Sequence, residues 1–265
     1  MPTAHINGID IYYEHSGEGH RLLFFNGSGA TLESAGPMVD WYRARFEVLV
    51  HDQRGLGRSE IPPGPYSMKD YAADALALLD FVGWSSCRVI GISFGGMVAQ
   101  EFAVTAPSRV ERLVLACTSP GGAGGSSYPL HELGALDGPT LGERMLPLLD
   151  TRYTPEYLAG HPSDQALASM LAARSPEAKD AESRRGEREQ LLARRSHDVM
   201  DRLANITCPT LVAAGRYDGI APLANSEAIV SAISGSELRV YDGGHIFFAQ
   251  DQRSMTEILN FLDRS

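Results

Sequence analysis

The sequence has few cysteines, no pattern of metal ligands and no apolar run long enough to span a bilayer. Its three cysteines, Cys87, Cys117 and Cys208, are too widely spaced for a Cys-x-x-Cys pair, and no His-x-x-x-His or Glu-x-x-His pattern accompanies them. We therefore expect neither a disulfide framework nor a bound metal. Each cysteine borders an apolar run, which predicts small buried side chains.

Basic residues are also in the minority. There are 33 Asp and Glu against 23 Lys and Arg, which gives a net charge of -10 at pH 7. Such a surface repels nucleic acid and anionic lipid, so we expect a small-molecule substrate and neither a nucleic-acid nor a membrane partner. Segment 1–17 has neither a basic start nor an apolar run of signal-peptide length, so we expect a cytoplasmic protein.

What the sequence does contain is enough apolar material for a core, since 43% of the residues are hydrophobic and 21% are charged. Short apolar runs recur, and most lack polar alternation, as strands covered on both faces of a parallel sheet do. The predicted strands are Ile9–Tyr13, Leu22–Phe25, Val48–His51, Arg88–Ile92, Leu113–Cys117, Thr210–Ala214 and Leu238–Tyr241.

Segments with helical spacing alternate with these runs. The predicted helices are Met68–Phe81, Phe94–Ala106, Asn225–Ile233 and Met255–Leu262. Ser67 is the expected N-cap of the first of these helices, and Gly83 is expected to end it. The alternation predicts an α/β fold built on a doubly wound, mostly parallel sheet.

The alternation of predicted strands and helices is interrupted between Cys117 and Thr210. We expect residues 120–200 to form an inserted helical cap, and residues 1–119 and 201–265 to form the core domain. The glycine-rich run PGGAGGSS predicts a flexible connection. The run RRGEREQLLARR, with its interleaved glutamates, predicts a solvated helix face without a functional role.

One serine stands where a nucleophile would. Ser93 is the centre of Gly91-Ile92-Ser93-Phe94-Gly95, a G-x-S-x-G motif that follows an apolar strand and opens a helix. Such a sharp turn strains the serine backbone and leaves room only for glycine on either side. The motif alone is equally compatible with a polar residue in a tight turn. Other residues must therefore show whether Ser93 is a nucleophile.

Asp218 and His245 are the candidate catalytic partners of Ser93, because each of them follows its own predicted strand, as Ser93 does. The carboxyl ends of parallel strands meet at one edge of a sheet, so the three side chains should converge there. His245 would accept the proton of Ser93, and Asp218 would orient the imidazole. The alternatives are a turn-forming aspartate and a core or surface histidine. Weaker candidates for the base are His51, His131, His161 and His197.

An acyl-transfer site also needs donors for its oxyanion. The motif itself places the backbone N–H of Phe94, directly after the nucleophile. A second donor should come from the loop after the strand Leu22–Phe25, which reads Asn26-Gly27-Ser28-Gly29.

Together with DQRGLGRS at 52–59 and GRYDGIAP at 215–222, these motifs resemble the α/β-hydrolase superfamily over nearly the whole chain. The order Ser, Asp, His is the one expected for that fold. The resemblance implies that the second oxyanion donor is the N–H of Ser28. Asn26 stands where a histidine is usual, somewhat as in enol-lactone hydrolase relatives, and would hold the loop through side-chain hydrogen bonds.

The same resemblance implies a role for two further residues. Asp52 and Arg54 would be architectural, paired in buried ionic or hydrogen-bonded contacts. Phe247 and Phe248 would pack in the core or in the pocket wall. Cap side chains would line the pocket or pack the cap onto the sheet, with Met145, Leu146, Tyr153, Tyr157 and Met170 as the candidates.

Serine at position 93 disfavours the dehalogenases and epoxide hydrolases of the superfamily, which use aspartate there. We expect a cofactor-free serine hydrolase that cleaves a small, mainly neutral ester or lactone through an acyl-enzyme. The alternatives are a carbon-carbon bond hydrolase of ring-cleavage products, a cofactor-free perhydrolase or haloperoxidase, and a ligand receptor with little turnover. Ile246 stands where hydroxynitrile lyases usually carry lysine, which makes a lyase the weaker choice.

Overall fold

The computed structural model describes residues 2–135, 138–172 and 180–264. The predicted cap, residues 120–200, therefore includes two short segments, 136–137 and 173–179, that lie outside the described residues.

A single mixed sheet forms the centre of the described part of the chain. Its eight strands are β1 (Thr3–Ile6), β2 (Ile9–Ser16), β3 (His20–Phe25), β4 (Phe46–His51), β5 (Cys87–Ile92), β6 (Val110–Ala116), β7 (Thr210–Gly215) and β8 (Glu237–Tyr241). They lie in the order β1-β2-β4-β3-β5-β6-β7-β8. The strands β1 and β2 pair antiparallel with each other, and β2 pairs antiparallel with β4. All pairs from β4 to β8 are parallel.

The helices follow the strands in the alternation that the sequence predicted. They are α1 (Leu32–Arg43), α2 (Met68–Phe81), α3 (Phe94–Thr105), α4 (Gly138–Leu149), α5 (Pro155–Gly160), α6 (Pro162–Ala172), α7 (Ala181–Ala193), α8 (Leu223–Ala232), α9 (Phe247–Gln250) and α10 (Arg253–Asp263). Short 3-10 turns lie at Pro107–Arg109, Gly122–Gly124, Leu130–Ala135, Arg194–Ser196 and Met200–Asn205. The predicted doubly wound, mostly parallel α/β fold is confirmed.

Local signals placed α2 correctly at both ends. Ser67 caps it and forms a capping box with Asp70, and Gly83 follows its C-cap with a φ of +74°. The sequence reading missed β1, a four-residue strand in which exposed and buried residues alternate. It also missed α1, which contains a glycine and Pro37 and so lacks a strong helical signal.

The sheet is buried on both faces. Along β3, Leu23 and Phe25 belong to the core cluster that includes residues of α2, α3 and α8, whereas Leu22 and Phe24 belong to the cluster on the opposite face, which includes residues of α1 and α10. This two-sided burial is the physical reason that strands such as Leu-Leu-Phe-Phe carry no polar alternation. It also fixes the sheet rigidly beneath the edge at which Ser93 lies.

Four α-helices, α4 to α7, lie among the described residues between β6 and β7. The glycine-rich run before them is not the loose connection that the sequence suggested. Gly121 pairs with Asp198 in an isolated bridge, and a side chain at Gly121 would overlap the carbonyl oxygen of His197. Glycine is needed there because two backbones touch. None of the described helices combines the length and the apolarity that a bilayer crossing requires.

Candidate active site

Ser93 occupies a strained turn between β5 and α3. Its φ of 55° and ψ of -114° lie outside the regions that non-glycine residues favour. The Ser93 N–H donates to the carbonyl of Ala116 at 2.8 Å, and Thr118 Oγ1 donates to the Ser93 carbonyl at 2.8 Å. These bonds hold the strained backbone in place and leave the serine hydroxyl at the N-terminus of α3.

The glycines of the motif are required by contact, as the sequence reading expected. A β-carbon on Gly91 would overlap the carbonyl of Gly95, and one on Gly95 would overlap the carbonyl of Phe25. A β-carbon on Gly96 would overlap the side chain of Thr118. The first turn of α3 thus approaches the ends of the neighbouring strands more closely than any side chain allows.

The structure brings Ser93, His245 and Asp218 together at the carboxyl edge of the sheet. Ser93 Oγ lies 2.8 Å from His245 Nε2, and His245 Nδ1 lies 2.8 Å from Asp218 Oδ2. An ionised carboxylate can only accept, so Nδ1 carries the proton and Nε2 is left to accept from the serine hydroxyl. The arrangement is that of a nucleophile, a general base and an orienting carboxylate.

Asp218 is locked in its orientation by the backbone. Its Oδ1 accepts from the N–H groups of Ile220 and Ala221, both at 2.8 Å. The side chain of Asp218 is fully buried, whereas that of His245 is 11% exposed. The carboxylate oxygen that faces His245 is therefore fixed, and the imidazole keeps limited access to solvent.

The end of α4 holds the two loops that carry these residues. Gly219 donates its N–H to the carbonyl of Leu148 at 3.0 Å, and His245 donates its N–H to the carbonyl of Leu149 at 2.6 Å. Carbonyls in the last turn of a helix have no partner within the helix, and here the two loops supply the donors. The segment between β6 and β7 is thereby tied to the site.

The loop after β3 lies beside Ser93. A β-carbon on Gly27 would lie 3.7 Å from that of Ser93. Among the described residues, neither the N–H of Ser28 nor that of Phe94 donates to a protein acceptor. Both N–H groups are free to bind an oxyanion, but their role as donors remains a prediction.

Two features of this loop differ from expectation. The Asn26 side chain does not hold the loop, because its Nδ2 is buried without a partner; Gln53 Nε2 instead donates to the Asn26 carbonyl at 2.9 Å. The Gly29 N–H donates to Gln190 Oε1 at 2.7 Å, and Gln190 is fully buried. A residue of α7, from the run predicted to be a solvated face, therefore supports this loop.

Gln190 and its neighbour Arg194 were missed because charged residues surround them. Gly186, Gln190 and Ala193 are the buried residues of α7, at spacings of four and three. A β-carbon on Gly186 would overlap the carbonyl of Gly55, so this face of α7 lies directly on the core. Gly186, a glycine within a run of charged residues, was the signal in the sequence that could have revealed this buried face of α7.

A cavity of about 440 Å³ contains Ser93 and His245. Its wall is mostly apolar and includes Met38, Leu130, Met145, Leu149, Leu167, Met170, Leu171, Ile220, Ile246 and Phe248. Met170 is 55% exposed and marks the opening. Of the predicted lining residues, Met145 and Met170 line the cavity, and Phe248 also does, while Phe247 is buried in the core.

The other predicted lining residues lie elsewhere. Tyr153 and Tyr157 donate their hydroxyls to Asp164, at 2.9 and 3.1 Å. Leu146 is not among the described side chains that line the cavity. Tyrosine hydroxyls that are partly buried need acceptors, and Asp164 satisfies both of them away from Ser93.

Asp52 and Arg54 have the architectural contacts that were expected, although not with each other. Asp52 accepts from the N–H groups of Leu32 and Arg58, at 2.7 and 2.9 Å, and burial raises its pKa. Arg54 forms a two-pronged pair with the buried Asp74, at 2.7 and 2.8 Å. Both residues brace the loop after β4 rather than the nucleophile.

The remaining candidate residues do not compete with the site. Burial raises the pKa of the Cys117 thiol well above its usual range, so the thiol stays neutral and unreactive. Cys87 is also buried, whereas Cys208 is only partly buried, against expectation. Burial lowers the pKa of both His51 and His197 to about 4. Among the described residues, no group of His, Cys, Asp or Glu is arranged to hold a metal ion.

Comparison with known proteins identifies the family to which the chain is similar. The family model described as alpha/beta hydrolase fold matches residues 13–252. A poly(3-hydroxyalkanoate) depolymerase of Ectopseudomonas oleovorans is 31% identical over 239 residues, which cover 90% of this chain and 82% of that protein. The 3-oxoadipate enol-lactonase 2 of Acinetobacter baylyi is 27% identical over 259 residues, covering 93% and 92%.

The fold also matches a solved structure. The crystal structure of the enol-lactonase from Burkholderia xenovorans LB400 superposes with a TM-score of 0.81, covering 99% of this chain and all of the other, at 24% identity. At that identity the likeness speaks for the fold alone.

Proposed function

Because this chain belongs to the alpha/beta hydrolase fold family, we propose that it is a serine hydrolase that cleaves a small ester or lactone through an acyl-enzyme. The family match together with the hydrolases among its relatives identifies it as a hydrolase. The single observation that supports the finer assignment is the pair of 2.8 Å contacts that link Ser93 Oγ, His245 and Asp218 beside an apolar cavity.

In the proposed reaction, Ser93 Oγ attacks the acyl carbon while His245 Nε2 takes the hydroxyl proton. The N–H groups of Ser28 and Phe94 receive the oxyanion. The tetrahedral intermediate collapses, and the imidazolium returns the proton to the departing alcohol. Water then attacks the acyl-enzyme with the same base, which releases the acid and restores Ser93. Asp218 holds the imidazole and stabilises its charged form throughout.

The substrate class follows from the wall of the cavity and from the names of the relatives. A mostly apolar cavity of about 440 Å³ suits a short aliphatic or cyclic acyl group. A polyhydroxyalkanoate is a polyester and an enol-lactone is a cyclic ester, so the names of both relatives denote cleavage at an acyl-oxygen bond.

Labelling and turnover together test this proposal. A fluorophosphonate should label Ser93 stoichiometrically, and the protein should hydrolyse p-nitrophenyl butyrate. Ser93→Ala should abolish labelling and lower kcat by at least about 10⁴-fold. Cys117→Ala, which removes the buried thiol beside the G-x-S-x-G motif, is the matched control. It should keep both the labelling of Ser93 and the hydrolysis of p-nitrophenyl butyrate. Full activity in Ser93→Ala would make the assignment wrong.

A panel of substrates separates the alternatives. Lactones, vinylogous 1,5-diketones and acetate with peroxide test lactonase, carbon-carbon hydrolase and perhydrolase chemistry, all of which use the same three residues. Diketone cleavage that exceeds ester cleavage would assign the protein to the ring-cleavage hydrolases. Labelling of Ser93 without turnover of any substrate would favour a ligand receptor.

A further inference from the structure

A second, smaller cavity lies beside the first. It has a volume of about 130 Å³, and its lining includes Ser119, Ser127, Tyr128, His131, Arg194 and His197. This lining contains more polar and charged side chains than the wall around Ser93 does. It also contains two of the histidines that were weaker candidates for the base.

Two arginines line this cavity: Arg195 is exposed to solvent, whereas Arg194 is buried and lacks a counterion. Its side chain is only 6% exposed, yet no acidic residue in the described part of the chain pairs with it. Nη2 donates to Ser127 Oγ, whereas Nη1 is buried without a partner. Burial lowers the pKa of Arg194 to about 10, so the guanidinium is still charged at neutral pH.

A buried cation without a partner is costly, because desolvation of a charge exceeds what one hydroxyl contact returns. Arginines buried in proteins are normally paired. The other ionisable groups nearby do not compensate: the pKa of His197 is lowered to about 4 by burial, so its ring is neutral, and Glu101 forms a two-pronged pair with Arg202. The unmet requirement of Arg194 is an anion.

The position of the cavity relates it to the nucleophile. Met97, which lines it, lies one helical turn after Ser93, or about 5.4 Å along α3. Leu130 lines the Ser93 cavity, and the residues on either side of it, Pro129 and His131, line the Arg194 cavity. The two cavities therefore lie against neighbouring residues of both α3 and the segment 129–131.

We propose that the Arg194 cavity binds a carboxylate group of the substrate, so that the substrate is a small ester or lactone whose acyl chain ends in a free carboxylate. The naming of this ligand as a substrate rests on the proposed function above. The apolar cavity holds the reacting carbonyl and the chain, and the guanidinium holds the far end.

A carboxylate fits better than the other common anions. Its single charge balances that of Arg194, which is the only buried guanidinium among the described lining residues, whereas a phosphate dianion would bring a second negative charge into the buried site. The planar fork of arginine matches two carboxylate oxygens, and Ser119, whose Oγ already accepts from Asn225, keeps its own proton to donate. The net charge of -10 repels a carboxylate at long range, where dissolved salt screens the repulsion. The desolvated guanidinium of Arg194 attracts the carboxylate at contact distance, where screening is weak.

Binding to the inactive variant tests the site without requiring turnover. Monomethyl glutarate carries an ester and one carboxylate four bonds apart, and its binding to Ser93→Ala can be measured by calorimetry. Adding Arg194→Met should weaken binding at least about tenfold. Adding Arg188→Met, which removes an equal charge from the exposed side of α7, should leave binding unchanged. Methyl butyrate, which lacks the carboxylate, should bind all three proteins equally.

Several results would overturn the proposal. These are no detectable binding of monomethyl glutarate, equal binding with and without Arg194, or tighter binding of inorganic phosphate than of the carboxylate. Thermal unfolding separates a binding role from a structural one. Arg194→Met removes an unpaired buried charge, so its unfolding temperature without ligand should equal or exceed that of the wild type. A large decrease would indicate that Arg194 has a structural role.

Turnover then connects the site to the reaction. Wild type should prefer p-nitrophenyl hydrogen glutarate over p-nitrophenyl butyrate, and Arg194→Met should lose about 10- to 100-fold in kcat/KM on the first substrate only. If no ester is hydrolysed but monomethyl glutarate still binds through Arg194, the proposed function fails while the carboxylate site stands. If p-nitrophenyl butyrate is hydrolysed but the preference for the glutarate ester is absent, the proposed function stands and the carboxylate site fails.

Discussion

At the scale of single residues, the site depends on side chains that are held by the backbone rather than by one another. Asp218 shows this best, because one of its oxygens accepts two backbone N–H groups and only the other faces His245. An orientation fixed in this way determines which tautomer the imidazole adopts. The tautomer in turn decides whether Ser93 can lose its proton.

Asp218→Asn should therefore inactivate the protein without unfolding it. The amide oxygen must remain at the two backbone donors, so the amide NH₂ faces His245 Nδ1 and forces the proton onto Nε2, which can then no longer accept from Ser93. We expect kcat on p-nitrophenyl butyrate to fall by about 10⁴-fold. Asp242→Asn, an exposed carboxylate on the loop before His245, is the control and should stay within about twofold. Equal losses in the two variants would contradict this account.

At the scale of elements, the segment between β6 and β7 does more than cover the sheet. The last turn of α4 accepts hydrogen bonds from the loops of Asp218 and His245, and α7 accepts one from the loop after β3 through Gln190. Helices remote in sequence from the nucleophile thus fix the geometry of the groups around it. The division into a core and a cap remains a prediction, but these bonds connect the two regions closely.

Gln190 should act as a positioning residue for the loop that carries Ser28. Gln190→Met keeps the volume but removes the acceptor for Gly29, which loosens a predicted oxyanion donor. We expect kcat to fall about tenfold or more with KM little changed, because the donor matters most in the transition state.

Arg185→Met provides the comparison on the same helix. It removes two hydrogen bonds from α7 to the carbonyls of Ile61 and Pro62 and leaves the bond between Gln190 and Gly29 in place. It should lower the unfolding temperature while kcat is retained. If both variants change kcat in proportion to their loss of stability, α7 contributes to folding alone.

At the scale of the whole molecule, buried histidines should make stability depend on pH. Burial lowers the pKa of His51 and His197 from 6.5 to about 4. The unfolded chain binds a proton at each ring at a higher pH than the folded chain does. The free energy of unfolding should therefore decrease as the pH falls from about 6.5 to about 4, and each ring should contribute no further decrease below that range.

Replacing one of the two histidines isolates its contribution to the pH dependence of the free energy of unfolding. His51→Gln should flatten the pH dependence, so that its stability relative to the wild type increases by up to about 3 kcal/mol between pH 7 and pH 4. Urea unfolding at several pH values in this range measures it. His20→Gln, at an exposed position of β3, is the control. Parallel curves for wild type and His51→Gln would show that the buried ring is not the cause.

The sequence by itself determined the features that depend on neighbouring residues and on strand order. The turn at Ser93, the capping of α2 and the two-sided burial of the strands follow from local sterics and from the apolar pattern. Strand order then brought Asp218 and His245 to the same edge, because parallel strands end together. These inferences needed no knowledge of which helices cover the sheet.

Only the tertiary structure decided the surroundings of Asn26, Gln190 and Arg194, and that Tyr153 and Tyr157 lie outside the Ser93 cavity. In sequence, Gln190 and Arg194 belong to a charged helix and resemble solvent-exposed residues. Their roles depend on burial and on whether a partner is within reach. Both are properties of packing between distant segments, here Gln190 against the loop after β3 and Arg194 against the loop after β6, and the local periodicity of the sequence does not report them.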